Sequence, residues 1–167
     1  MKHTITVPLS EQGIDRLIKK VDEYERWLKR KTDQLASELA ALGATSASIG
    51  FAQSLYDGPK DFQISVEQRG EGHYVVKANG ESVLFIEFGS GVTMGGGHPE
   101  AAEHGMGPGT YPIPPGKGHW NDPNGWWIPK DKGGGHTYGN PPNAPMYSAV
   151  RNLEQELARI AREVFSD

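Results

Sequence analysis

The residues best suited to chemistry are histidines and carboxylates in the second half of the chain. The histidines are His98, His104, His119 and His136, and the nearby acids are Glu100, Glu103 and Asp122. Imidazole and carboxylate groups are common zinc ligands. Their spacing matches no compact ligand motif such as H-E-x-x-H, so we predict no metal and no other cofactor. A metal-dependent hydrolase with a histidine-bearing loop remains the alternative.

Glu87 is the other candidate for chemistry, because it follows the apolar run "VLFI" directly. A buried carboxylate in such a place can act as a general base. No second acid or histidine lies at a predictable spacing from it. The nucleophile-elbow pattern G-x-S-x-G around Ser90 would need a glycine at position 88, which is Phe88. We therefore predict no catalytic residue. Instead, Glu87 should accept backbone N–H groups from the glycine turn that follows. The predicted structural corner consists of Glu87, Phe88, Gly89, Ser90 and Gly91.

Composition narrows the functional classes. The 167-residue chain has a net charge of −4 and no cysteine, which excludes disulfides and thiolate metal sites. A basic face for nucleic acid is not indicated. We therefore expect no nucleic-acid specificity. No apolar run has the length of a membrane span, so we expect no membrane partner either.

The hydrophobic pattern predicts a single α+β domain over residues 1–167. Helical spacing indicates a helix over 11–42, with Ser10 as its N-cap and Gly43 as its stop. A period of two then indicates about four antiparallel strands over 45–90.

The last third of the chain is irregular and then helical. Of the 34 glycines and prolines, 24 lie in residues 91–145. We predict an inserted loop over 91–142, and a helix over 145–165 that packs on the sheet. A long loop rich in aromatic residues is typical of a binding segment. The candidate partner contacts are Trp120, Trp126, Trp127, His136, Tyr138, Pro145 and Met146.

Two motifs carry a resemblance to a known family. "YVVKANGESVLFIEFGSGV" (74–92) and "HTYGNPPNAPMYSAV" (136–150) resemble the two signatures of a tailed-phage family. It is the tail-component, or tail-completion, family typified by the tenth gene product of phage HK-ninety-seven. The segment 93–135 is longer than in the shortest members.

The resemblance implies a structural, non-enzymatic protein of a phage or prophage that acts at the head–tail junction. It implies a ring homo-oligomer, of six copies in the family pattern, with head-completion and tail-tube proteins as partners. The chain would be a virion protein assembled in the host cytoplasm. The length of the first helix is consistent with packing against another chain.

Overall fold

The computed structural model describes residues 5–107, 110 and 120–166, and it is a mixed helix-and-sheet fold, as predicted. A long helix lies at the N-terminal end and a shorter one at the C-terminal end. The elements in chain order are helix α1 (Glu11–Gln53), strands β1 (Gln63–Gly70) and β2 (His73–Asn79), helix α2 (Val83–Phe88), strand β3 (Trp126–Trp127), a 3-10 turn (Lys130–Lys132), strand β4 (His136–Thr137) and helix α3 (Pro145–Ser166).

Helix α1 is longer than the sequence pattern predicted. Its 43 residues span roughly 65 Å at 1.5 Å per residue. The hydroxyl of Ser10 caps the first turn by accepting the Gly13 N–H, as predicted. Gly43 does not end the helix. It is buried inside it, where a Cβ atom would lie 3.1 Å from the Leu153 side chain, so its lack of a side chain allows α3 to approach closely.

Helix α3 packs antiparallel to α1, with further contacts to α2, and the prediction that it packs on the sheet is wrong. Trp27 meets Phe165 with ring centroids 5.8 Å apart. A Cβ atom on Gly50 would lie 2.8 Å from Pro145 at the other end of the helix pair. Residues 11–26 of α1 extend beyond this pairing, and we call them the N-terminal arm.

The sheet over 45–90 has two strands rather than four. Strands β1 and β2 form an antiparallel hairpin in which Val66 pairs with Val76. At the start of the range 45–90 the chain continues α1 as far as Gln53, and at its end the run "VLFIEF" (83–88) forms α2. A short apolar run does not distinguish a strand from a buried helical turn, and here packing against α1 decides for the helix.

The hydrophobic core lies where the C-terminal turns of α1 meet α2 and the start of α3. Phe51 and Ile86 are fully buried at its centre beside Val83. The residues packed around them are Tyr56, Phe62, Ile64, Ala78 and Met146. Because α2 is anchored here, its last turn and the segment that follows have fixed positions relative to α3.

Within the described residues, α1 alone is long enough and contains a window apolar enough to cross a membrane. Length and composition are the whole basis of that finding, and the core helix of a globular protein meets the same test. Ala40, Ala47 and Phe51 of α1 are buried within the fold.

Candidate functional site

The carboxylate of Glu87 caps helix α3. Oε2 accepts the N–H of Met146 at 2.8 Å, and Oε1 accepts the N–H of Tyr147 at 3.0 Å. The prediction that Glu87 binds the following glycine turn is therefore wrong, because its acceptors point to a helix start some sixty residues further along the chain. A carboxylate at this position also interacts favourably with the positive end of the helix dipole.

Every backbone donor in the first turn of α3 has an acceptor. Pro145 begins the helix and has no N–H to satisfy, which confirms its predicted place in the first turn. Met146 and Tyr147 donate to Glu87, and Ser148 donates to the carbonyl of Ala144. Glu87 thus acts as an N-cap supplied from a distant part of the chain.

The capping is reciprocal, because the segment before α3 satisfies the end of α2. Asn143 donates its N–H to the carbonyl of Ile86, and Ala144 donates to the carbonyl of Glu87. The side-chain amide of Asn140 donates to the carbonyl of Phe85 at 2.9 Å. The C-terminal end of α2 and the N-terminal end of α3 are therefore joined by hydrogen bonds in both directions.

His98 is the third hydrogen-bond partner of the Glu87 carboxylate. Its Nε2 lies 3.2 Å from Oε1 of Glu87, and its Nδ1 accepts the N–H of Glu100 at 3.1 Å. The hydrogen of the neutral ring therefore lies on Nε2, which donates to the carboxylate. The imidazole is buried between Phe88 and Tyr147, with ring centroids 4.5 and 5.6 Å away. His98 thus fixes the start of the long loop on α3.

The glycine corner is held by backbone pairing rather than by Glu87. Ser90 and Asn140 exchange backbone hydrogen bonds of 2.9 and 3.1 Å, and the Ser90 hydroxyl donates to the Asn140 side-chain oxygen at 2.5 Å. Gly91 has φ of 78°, and a Cβ atom there would overlap the carbonyl oxygen of Tyr138. The corner and the end of the loop therefore form one tightly packed unit.

The aromatic residues of the loop divide between two faces of the β3–β4 hairpin. The inner face carries Trp126, which meets Trp120 at 6.2 Å, and Trp120 meets Phe85 of α2 at 5.5 Å. These contacts anchor the hairpin to the core. The loop predicted over 91–142 thus contains a short strand, β3, within the run "GWWIP" (125–129).

The outer face of the same hairpin is open to solvent. Trp127 and Tyr138 are 74% and 53% exposed, and His136 lies between them with both ring centroids 5.0 Å away. We call Trp127, His136 and Tyr138 the aromatic face. Large exposed aromatic residues are unusual on a solvated surface and are enriched at binding sites.

The surroundings of this hairpin are acidic. The Thr137 hydroxyl donates to Asp57 at 2.9 Å, and Lys132 pairs with Glu81 at 3.0 Å. Burial raises the pKa of Tyr56, and the carboxylates of Asp61, Asp57 and Glu81 raise it further.

The residues predicted as partner contacts and those considered as metal ligands lie in different parts of the structure. Pro145 is buried and Met146 packs on the core, so both contact other parts of their own chain. His98 is at the carboxylate corner, whereas His136 is on the aromatic face. His119 lies outside the described residues. Among those described, no three histidine, aspartate, glutamate or cysteine side chains are placed to hold a metal ion.

Comparison with models of known protein families, with curated proteins and with solved structures finds no match for this chain.

Sequence reasoning missed His98 and Asn140 as structural partners of the corner. His98 follows three glycines in a segment without periodicity, which gives no sign of burial. Asn140 precedes two prolines, whose missing N–H groups leave the Asn140 side chain to cap the end of α2. That feature was a usable signal, but only once α2 is known to be a helix.

Proposed function

We propose that this protein is a structural morphogenesis protein of a tailed bacteriophage or prophage, and that it acts at the head–tail junction as a tail-completion or neck component. It assembles as a ring of identical copies, taken as six from the resemblance, and binds head-completion and tail-tube proteins. Its role is mechanical rather than catalytic.

The observation that supports this proposal is the convergence of the two resembling motifs. They are separated by more than forty residues in the chain. In the fold, Glu87 of the first motif caps the helix that begins at Pro145 of the second, and Ser90 pairs with Asn140. Residues shared with a family by resemblance thus form one structural unit, and this is the pattern expected if the resemblance reflects a common fold.

The arrangement around Glu87 also favours a structural role over a chemical one. Its carboxylate oxygens are occupied by two backbone N–H groups and His98, and Glu87 is only 5% exposed. A general base needs an open approach to its substrate proton. A helix cap needs the opposite, which is a buried acceptor held in one position.

The test is genetic. The gene is deleted from the phage or prophage that encodes it, and lysates are viewed by electron microscopy. We expect separate filled heads and unjoined or overlong tails, with infectivity restored by the wild-type gene in trans. Normal virions at wild-type titre would refute the proposal.

A further inference from the structure

The long loop begins with a compact turn that is attached to the helices through His98. We call residues 99–106 the loop turn. Backbone hydrogen bonds within it, such as that from Met106 to the carbonyl of Ala101 at 2.9 Å, give the segment its shape. Such bonds do not hold the segment on the rest of the protein. The ring of His98 does so, because it is buried between α2 and α3 while one of its nitrogens binds the loop turn.

Both ring nitrogens of His98 form hydrogen bonds. Nε2 donates to the carboxylate of Glu87 at 3.2 Å, and Nδ1 accepts the backbone N–H of Glu100 at 3.1 Å. The side chain is 1% exposed, so water does not compete for either nitrogen. One nitrogen thus faces the junction of the two helices and the other faces the loop turn. Only the neutral imidazole, with one donor and one acceptor, can form both bonds.

A second proton on the ring would have opposite effects on these two bonds. Nδ1 would then carry a hydrogen that points at the N–H of Glu100, and two donors cannot pair. The bond from Nε2 to Glu87 would become a charge-assisted hydrogen bond, which is stronger than a neutral one. The ring would therefore stay on Glu87, and the loop turn would lose its attachment.

The groups around the ring act on proton binding in both directions. The carboxylate of Glu87 favours the second proton, whereas burial and the positive end of the α3 dipole oppose it. The loop turn also has two ion pairs, since the Glu100 carboxylate lies 3.8 Å from His104 and 4.0 Å from Arg151. Their side chains are 38–56% exposed, and exposed pairs of this kind contribute little. The titratable and charged groups that face the ring or its partners are Glu87 of α2, Tyr147 and Arg151 of α3, and Glu100 and His104 of the loop turn.

We infer that His98 is a pH-sensitive switch, which holds the loop turn while its ring is neutral and releases it when the ring binds a second proton. Release would take His104 off Phe88, where the ring centroids are now 5.7 Å apart, and would uncover part of that buried ring. The corner before the loop turn would stay closed, because Ser90 and Asn140 pair through backbone groups that do not titrate. The switch is a property of one chain and does not depend on the proposed function.

The experiment is a nuclear magnetic resonance titration of the isotopically labelled, full-length protein. The pH is lowered from about 8, through the range in which histidine ordinarily changes charge, until the protein unfolds. The ring-nitrogen shifts of His98 report its protonation. The hydrogen-exchange protection of the Glu100 amide, corrected for the pH dependence of intrinsic exchange, reports the loop turn. We expect that protection to fall by at least about tenfold along the same curve as the ring titration, while the Ser90 amide keeps its protection.

Two variants separate His98 from its neighbours. His98→Asn supplies a side-chain oxygen that can accept the N–H two residues further on, and it does not titrate. Protection of the Glu100 amide should therefore be independent of pH in this variant. The matched control is His104→Gln, which removes the other histidine beside Glu100, at a side chain that is 56% exposed. The control should respond to pH as the parent does.

Three results would overturn the switch. The His98 ring could bind no second proton before the protein unfolds, or it could titrate while the protection of Glu100 stays constant. The third is a pH response that survives in His98→Asn or disappears in His104→Gln. If His98→Asn does not fold, the parent and His104→Gln still decide the matter. The proposed function fails separately, if deletion of the gene leaves normal virions.

Discussion

Replacing Glu87 with alanine should destabilise the protein by an amount that follows from its three hydrogen bonds. The variant removes the acceptor for the N–H groups of Met146 and Tyr147 and for Nε2 of His98. Loss of a helix N-cap costs about 0.5–2 kcal/mol. A buried donor without a partner costs about 1–3 kcal/mol more. We therefore expect the free energy of unfolding to fall by about 1.5–5 kcal/mol, a large share of the stability of a typical domain.

Glu87→Gln separates the acceptor role from side-chain size. With the amide oxygen at the Oε1 position, Tyr147 and His98 keep their acceptor. The amide nitrogen then faces the N–H of Met146, so one hydrogen bond is replaced by an unfavourable contact between donors. We expect a loss of about 1–3 kcal/mol, smaller than that of the alanine variant. The matched control is Glu81→Gln, whose side chain is 81% exposed and pairs only at the surface.

The assay is urea unfolding followed by tryptophan fluorescence and far-ultraviolet circular dichroism. The control should lie within about 0.5 kcal/mol of the parent. Native-state hydrogen exchange should also show reduced protection at the first turn of α3 in both Glu87 variants. If Glu87→Ala unfolds at the same urea concentration as the parent with an unchanged slope, the capping role is refuted.

Three further variants test other parts of the fold. Asp33 accepts hydrogen bonds from the Gly72 N–H at 2.8 Å and from the Tyr74 hydroxyl. Asp33→Ala should therefore lower the free energy of unfolding by about 1–3 kcal/mol and reduce hydrogen-exchange protection in the β1–β2 hairpin. Unchanged protection would count against this role of Asp33. Gly91→Ala should destabilise the protein by at least about 2 kcal/mol in thermal unfolding, because the added Cβ atom has no room. The control is Gly70→Ala, whose added Cβ atom meets nothing within 4 Å, and it should cost less than half as much. Hydrogen bonds from the backbone N–H of Glu81, and then of Ser82, hold the pKa of Asp61 below the ordinary value of an aspartate, so this carboxylate stabilises the fold above that ordinary value and the stabilisation is lost as the pH falls through the lowered pKa. The stability difference between the parent and Asp61→Asn should shrink in acid, and a constant difference would exclude this linkage.

The helices and one hairpin could be predicted from the sequence because their patterns are local. The spacing of apolar residues and the cap at Ser10 located the start of α1, and Pro145 located the start of α3. The Asp-Gly and Asn-Gly turns flanked the true strands β1 and β2. Such signals are confined to a few neighbouring residues, so tertiary structure does little to change them.

The errors arose where distant packing overrides local pattern. Residues 46–53 alternate weakly and resemble a strand, yet α1 continues through them because Gly50 lies against Pro145 in α3. Glu87 was predicted to accept backbone N–H groups of the glycine turn beside it, but the donors that it binds are far away in sequence. Nothing near residue 87 indicates that Met146 and His98 would meet there, and only the packing of α2 on the core brings them together.

The proposed role in joining heads to tails is tested most directly by complementation in vitro. A lysate of the deletion phage is mixed with the purified protein, and plaque-forming particles are counted. The account predicts that the wild-type protein raises the titre well above that of the lysate alone. No rise with the wild-type protein, in a lysate that an extract from wild-type infection does restore, would contradict the account.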